Sequence, residues 1–470
     1  MTQHEEQNNM KKDVSIKESV FLLVVLLAII GTCIIGLSLP PQIPILISIA
    51  MVMFYAAIKG FSWDTIHKGI QNGISPGLIP IIIFMLIGAL VSVWIEAGTI
   101  PTIMLYGFSL ISVKFFLPSV FVVCALVGVT VGSSFTTIST VGIAFFGMGQ
   151  IMGFNPAMTA GAIISGAFLG NNISPLSDTT NLAAAIAQVD LFDHIKNMMR
   201  TIIPSFLVTL VFFGVMGHSN VSTTGSQIEE LVNTLHSSFP ISVVTLIPVL
   251  ILFLCAWKKI PAIPTLLLSI MVTIGVSYIY FPHTSLLQIA NLMQDGFVSR
   301  TGVQDVDALL TRGGIQSMMW SVSLILLALA LGGLLVELKI IETLISKISA
   351  FVSTKGKLIL MTALSSIGVN LLLGEQYLSI ILPGEAFKPQ FGSVQVDMKN
   401  LSSILANAGA AVNALIPWGV SGVFITGTLG IPTLEYFPFA IFCIIAPIIN
   451  ILIGFMRPGK NQFQQHRISP

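Results

Sequence analysis

Charge is what this chain of 470 residues has least of. Asp, Glu, Lys and Arg make up 9% of it, where soluble proteins carry about 25%. A soluble globular fold is excluded on that ground, and 54% hydrophobic residues point to an integral membrane protein of many spans. The little charge present nearly cancels, at net +1, so no bulk electrostatic argument favours a nucleic-acid partner. Cysteine is scarce: Cys33, Cys124, Cys255 and Cys443 all lie in apolar stretches, none in a CxxC. That excludes a disulfide framework and reads them as small core residues. None of the seven histidines falls inside a predicted span, which argues against haem and against a histidine-built metal site. There is no HExxH and no phosphate-binding glycine loop. Gly419-Val420-Ser421-Gly422 has the outline of a serine nucleophile turn. It lacks the histidine base that such a turn needs, since the only later histidine, His466, is in the tail. No enzyme and no cofactor is expected.

What is present is a series of apolar runs. Runs of about 17 residues or more are candidate spans. They fall near 20–39, 43–58, 77–97, 157–188, 201–217, 241–257, 262–281, 316–337, 400–430 and 438–456. The first follows a polar tail without a small-residue cleavage site, so it reads as a retained span and not a signal peptide. Two further stretches, 118–150 and 358–389, are apolar at both ends and polar or glycine-rich at the centre. Half of such a stretch reaches roughly 21 Å at 1.5 Å per residue, short of the ~30 Å hydrocarbon core. Both are expected to be re-entrant helical hairpins; the alternative is one long tilted span each. Segments 98–113 and 338–356 are placed at the membrane interface.

The chain repeats itself. At a shift of 242 residues Gly132 meets Gly374, Gly142 meets Gly384, Asn171 meets Asn413 and Pro175 meets Pro417. The order of spans, hairpin and broken span recurs with it. Five crossings per half is an odd number, so the second half is expected to be inverted relative to the first, as in many secondary transporters. With the N-terminus inside, the only Lys and Arg on the outer side are Lys114, Arg300 and Arg312, a strong positive-inside bias. The fold class expected is therefore all-α and polytopic, with two inverted repeats, about ten transmembrane helices, two hairpins and two broken helices. The divisions are a cytoplasmic tail at 1–19, a first repeat at 20–217, an extracellular linker at 218–240, a second repeat at 241–456 and a cytoplasmic tail at 457–470. The sequon Asn220-Val221-Ser222 in the linker is read as a chance match.

The most informative residues interrupt the run 157–188. Asn171, Asn172, Ser174, Pro175, Ser177, Asp178, Thr179, Thr180 and Asn181 sit where hydrocarbon depth is expected. A carboxylate there costs about 2.5–3.5 kcal/mol on insertion scales. Pro175 removes a backbone donor, and such a break is tolerated only where it lines a protected cavity. Asp178 offers a negative oxygen; Ser174, Ser177, Thr179 and Thr180 offer hydroxyls; Asn171 and Asn181 offer amide carbonyls. Hard cations such as sodium take several oxygens, neutral ones included, so the segment reads as an ion or substrate site with Asp178 at its centre. The structural alternative has Ser177 and Asp178 capping the second half-helix. Ser133, Ser134, Thr136 and Thr137 at the first hairpin tip form the expected second wall, unless they bond back to their own helix. In the second half the counterparts are Glu375, Gln376, Asn407, Asn413 and Ser421, with Pro417 at the break. Asp178 aligns with Val420, so the site is expected to be asymmetric.

At these residues the chain resembles the NhaC family of sodium/proton antiporters, which includes sodium-coupled malate/lactate exchangers. The resemblance runs over nearly the whole length. Its most specific parts are Ser165-Gly166-Ala167-Phe168-Leu169-Gly170, Ser174-Pro175-Leu176-Ser177-Asp178-Thr179-Thr180 and Gly374-Glu375-Gln376-Tyr377-Leu378-Ser379-Ile380. Several positions that usually carry charge in the family are neutral here: Asn171, Ala406, Asn407 and Ser403. The resemblance implies a plasma-membrane antiporter with both termini cytoplasmic, exchanging Na+ for H+ across the lipid bilayer. A sodium-coupled exchanger of small organic anions or amino acids is the second reading, with a small carboxylate as a further partner. Either reading admits a homodimer without requiring one.

Overall fold

The computed structural model describes residues 14–37, 39–110, 113–217, 225–350, 352 and 354–456. The expectations for the N-terminal tail before residue 14, for the sequon at Asn220, for the linker up to residue 224 and for the tail 457–470 lie outside the described residues. Among the described residues all regular structure is helical, apart from a single isolated bridge between Phe297 and Arg312.

Among the described residues six helices are long and apolar enough to cross a bilayer: Ile16–Ile34, Trp63–Glu96, Leu191–Met216, Ala262–Tyr280, Ile315–Glu337 and Lys355–Leu373. Two bent pairs bring the number to eight: Met398–Leu415 with Val420–Leu429, bent by 43°, and Thr433–Phe439 with Ile441–Met456, bent by 56°. Gln42–Ile58, Phe116–Val131 and Val244–Trp257 are shorter apolar helices.

Helix starts depart from the apolar runs where a cap recruits polar residues. The helix Ile16–Gly31 begins at Ile16 because Ser15 and Glu18 form a reciprocal capping box. The helix Leu191–Met216 begins ten residues before its apolar run. Asp190 caps it, accepting from the amides of Phe192 and Asp193 at 2.9 and 3.1 Å. That extension draws His194 into a span-capable helix, contrary to the expectation that no histidine lies in one. There it is fully buried, with Nδ1 2.8 Å from Ser402 Oγ. The amphipathic segment Trp63–Ile74 runs through a 3-10 turn at Pro76 into Leu78–Glu96, making one long helix. The segments expected at the interface are the helices Thr99–Leu110 and Ile340–Ala350. Cys124, Cys255 and Cys443 are buried, Cys33 partly so, and all four are free thiols.

Both expected hairpins have two helical arms joined at a glycine. The first runs Phe116–Val131, turns at Gly132 and returns over 134–151, with a π-helical stretch at Ile138–Gly142. Its arms are antiparallel: a Cβ placed on Gly149 would sit 3.1 Å from the Phe116 ring. The second runs Lys355–Leu373, turns at Gly374 and returns as Gln376–Ser393. Gly132 and Gly374 have φ +72° and +67°, the left-handed region that glycine enters without strain.

Each hairpin is followed by a helix that breaks. Pro156–Ile173 and Asp178–Ile186 form the first; Met398–Leu415 and Val420–Leu429 form the second. Their starts, like those of the returning hairpin arms, recur at the same spacing that relates Gly132 to Gly374. The outgoing arm of the first hairpin packs along Pro156–Ile173 at backbone distance. A Cβ on Gly166 would lie 2.3 Å from the Phe121 carbonyl, and one on Gly170 2.3 Å from that of Ala125. Small residues four apart permit such contact, which drives helix association where lipid removes the hydrophobic term.

Candidate functional site

At each hairpin the tip abuts the break of the following helix. A Cβ on Gly132 would lie 2.6 Å from Leu176 Cβ, and one on Gly374 3.0 Å from the Trp418 carbonyl. Ser174 Oγ donates to the Val129 carbonyl at 2.7 Å, tying the first break to its hairpin. The Val420 amide donates to the Gly374 carbonyl at 2.8 Å, tying the second.

The first junction is open. A cavity of about 410 Å³ lies against it, lined by Ser133, Ser134 and Thr136 of the hairpin and by Asn171, Ser177, Asp178 and Thr179 of the broken helix. Gln376 and Tyr377 of the second hairpin complete the polar wall. The opposite wall is the long helix at Pro76–Ile83 and the turn around Lys259 and Pro261. Asp178 is exposed into this space at the first turn of its helix, whose cap is Ser177. Of the two residues expected to cap this helix, Ser177 does so, and Asp178 instead projects into the cavity. Asp178 Oδ2 accepts a hydrogen bond from the Tyr377 hydroxyl at 3.1 Å, across the two halves of the chain.

Not every residue expected at this site faces the cavity. Asn181 Nδ2 donates to the carbonyls of Pro175 and Ser177 at 3.0 and 2.7 Å, satisfying backbone that the proline set free. Thr180 Oγ1 donates to the Asn171 carbonyl at 3.0 Å, bracing the break from the other side. Thr137 bonds back to the Ser133 carbonyl at 2.9 Å. Asn171 Nδ2 donates to Thr179 Oγ1 at 3.1 Å, which leaves its carbonyl oxygen free of that bond.

The second junction is closed. Asn413, fully buried, donates to Asn370 Oδ1 at 2.9 Å and to the Gly374 carbonyl at 3.1 Å, and accepts from the Ser421 amide at 2.8 Å. Glu375, 2% exposed, caps the returning arm by accepting from the Leu378 amide at 2.7 Å. Asn407 lies deeper, accepting from Asn172 at 3.3 Å. Of the second-half candidates, only Gln376 reaches the cavity. The Ser421 hydroxyl is buried without a partner.

Tyr377 and Lys259 are functional candidates that sequence reasoning missed. The signal for Tyr377 was available, because at the repeat spacing it stands where Phe135 stands, beside the hairpin cap. Lys259 offered none, since only the packing of the turn against the hairpins brings it to the mouth.

Among the described residues no three His, Cys, Asp or Glu side chains gather in one place. The coordinating capacity of the cavity therefore rests on one carboxylate and a ring of neutral oxygens.

Comparison with known proteins finds relatives over nearly the whole length of the chain. The chain is 39% identical over 455 residues to the Na+/H+ antiporter NhaC of Alkalihalophilus pseudofirmus, covering 97% of this chain and 98% of that one. It is 33% identical over 426 residues to the arginine/ornithine antiporter ArcD of Halobacterium salinarum, covering 89% and 87%. It is 30% identical over 441 residues to the malate-2H+/Na+-lactate antiporter of Bacillus subtilis, covering 93% and 94%. The model of the Na+/H+ antiporter family matches residues 14–180 and 166–457, and the chain belongs to that family.

Proposed function

We propose that this protein is a secondary transporter of the plasma membrane that exchanges sodium ions for protons. The observation that carries the reading is Asp178: one carboxylate, exposed in a cavity walled by both hairpin tips and otherwise offering neutral oxygens. Asp178 holds a sodium ion or a proton, never both, and that competition is the exchange. The carbonyl end of Pro156–Ile173 and the neighbouring hydroxyls favour a cation at the break. No feature of the cavity suggests bond-making chemistry.

The architecture supports the same reading. Matching element starts in the two halves support two repeats, one over 20–217 and one over 241–456, and an odd number of crossings in each inverts one relative to the other. Lysine and arginine placement favours cytoplasmic termini. It also puts Lys259, and so the mouth of the cavity, on the cytoplasmic side.

Inside-out membrane vesicles test the proposal. Sodium addition should change the internal pH, and Asp178→Asn should abolish the change. Normal exchange in the folded variant would overturn the role of Asp178.

Two observations favour a second reading, sodium-coupled exchange of a small carboxylate or amino acid. The cavity, at about 410 Å³, is far larger than a cation needs, and Lys259 stands on its wall. Counterflow of labelled organic acids in proteoliposomes separates the two; full sodium–proton exchange with no organic solute present argues against the second.

A further inference from the structure

A second cavity, of about 390 Å³, lies further along the long helix and the returning arm of the first hairpin. Val91, Ile143, Arg312, Gly427 and Thr428 are among its lining residues. Three elements reach both cavities or the junctions beside them. The long helix lines the first cavity at Ile83 and the second at Val91; the first hairpin lines the first at Phe135 and the second at Ile143. The arm Val420–Leu429 starts at the closed junction and lines the second cavity at Gly427 and Thr428.

At or between those positions each element contributes one phenylalanine to a single cluster. Phe84 and Phe424 stack with ring centres 4.8 Å apart, Phe135 and Phe424 are 4.7 Å apart, and Phe84 meets Phe135 edge-on at 5.7 Å. Phe84 and Phe424 are fully buried and Phe135 is 9% exposed. From Phe84 to Val91 is about 10 Å along the helix at 1.5 Å per residue, so the layer is only a few side chains thick. Arg312 holds the far side: it donates to the Leu429 carbonyl at 3.2 Å and lies 5.4 Å from the Phe146 ring centre. It thereby joins the same hairpin and the same broken helix to the segment that follows Phe297.

We propose that Phe84, Phe135 and Phe424 form the partition between the two ends of one sodium route, with the first cavity open to the cytoplasm and the second to the outside. This rests on the sodium-exchange reading above. Three rings from three separately connected elements make a barrier that a small relative movement of the hairpin against the long helix can open. The ion enters one cavity while the rings close off the other, which alternating access requires.

Two measurements test it. A membrane-impermeant methanethiosulfonate should react with Thr428→Cys from the outer face only and with Ile83→Cys from the cytoplasmic face only, against parent protein carrying the native cysteines. Reaction of both from one face overturns the proposal. In proteoliposomes with no pH gradient, Phe424→Ala should raise passive ²²Na+ efflux several-fold, and Phe424→Leu, which refills most of the space, should return it close to native. A folded, monodisperse Phe424→Ala protein with unchanged or lower passive efflux overturns the partition. If native protein moves no sodium against protons, the functional reading has failed instead, so the two failures are distinguishable.

Discussion

The Tyr377 hydroxyl donates to Asp178 Oδ2 at 3.1 Å, joining the tip of the second hairpin to the break of the first broken helix. It is a direct polar link between the two halves on the wall of the cavity. Hydrogen bonds to charged groups contribute about 1.5–3 kcal/mol when dry and less in an open cavity. The bond orients the carboxylate and leaves its other oxygen for the sodium ion of the proposed exchange. Tyr377→Phe should therefore raise the sodium concentration at half-maximal rate by roughly three- to tenfold and leave the maximal rate near native. Initial rates of ²²Na+ uptake against sodium concentration check this. A fall in maximal rate with unchanged half-saturation would place Tyr377 in the moving step instead.

The two tip–break junctions differ in what an asparagine does there. Asn413 serves Asn370, Gly374 and Ser421 in a fully buried setting, while Asn171 stands on the wall of a cavity. Loss of a buried partner leaves each orphaned group at about 1–3 kcal/mol; groups beside a cavity can turn to water. Asn413→Ala should lower the melting temperature of the detergent-solubilised protein clearly more than Asn171→Ala. Sodium transport should show the reverse order among protein that remains folded. Equal thermal shifts would contradict the closed character of the second junction.

Much of this arrangement was legible in the chain itself. Gly132, Gly374, Pro175 and Pro417 marked the turns and breaks because glycine's left-handed φ and proline's missing donor act locally. Asp178 stood out because nothing else in its apolar run carries charge. What stayed hidden depends on long-range packing. The hydroxyls of Thr137 and Thr180 were as plausible for an ion as those of Ser133 and Thr179, and only the three-dimensional direction of each side chain separates them. Asn413 matched Asn171 in type, yet the second junction closes over it. The onset of Leu191–Met216 was missed because hydropathy does not register an Asp190 cap.

Outside the spans, the segment after Phe297 is organised by one carboxylate. The Thr301 amide donates to Asp307 Oδ1 at 2.6 Å, the Ser299 and Thr301 hydroxyls donate to it at 2.8 Å each, and the Gly302 amide donates to Oδ2 at 3.1 Å. These donors, the Thr301 amide foremost, hold the Asp307 carboxyl down at about 2. A depressed acid lends order above its unfolded value of about 3.9 and loses it as pH falls through about 2. Pepsin cleavage within 297–311 should therefore be faster in Asp307→Asn than in native protein near pH 5, and the two rates should converge toward pH 2. A gap that persists to the lowest pH would mean that the loop does not depend on the charge of Asp307.

Lys259 discriminates between the two transport readings. It sits on the cavity wall in a left-handed turn, φ +58°, with an exposed side chain. A cation there opposes sodium entry and favours a carboxylate, and both effects weaken with salt because the charge is exposed. If the protein exchanges sodium for protons alone, Lys259→Gln should leave the apparent sodium affinity unchanged or improve it up to about threefold at low ionic strength. If a small carboxylate is carried, the same change should weaken uptake of that solute, most at low salt. Sodium-dependent pH changes and labelled-acid uptake, measured in one proteoliposome preparation at two ionic strengths, give opposite signs for the two cases.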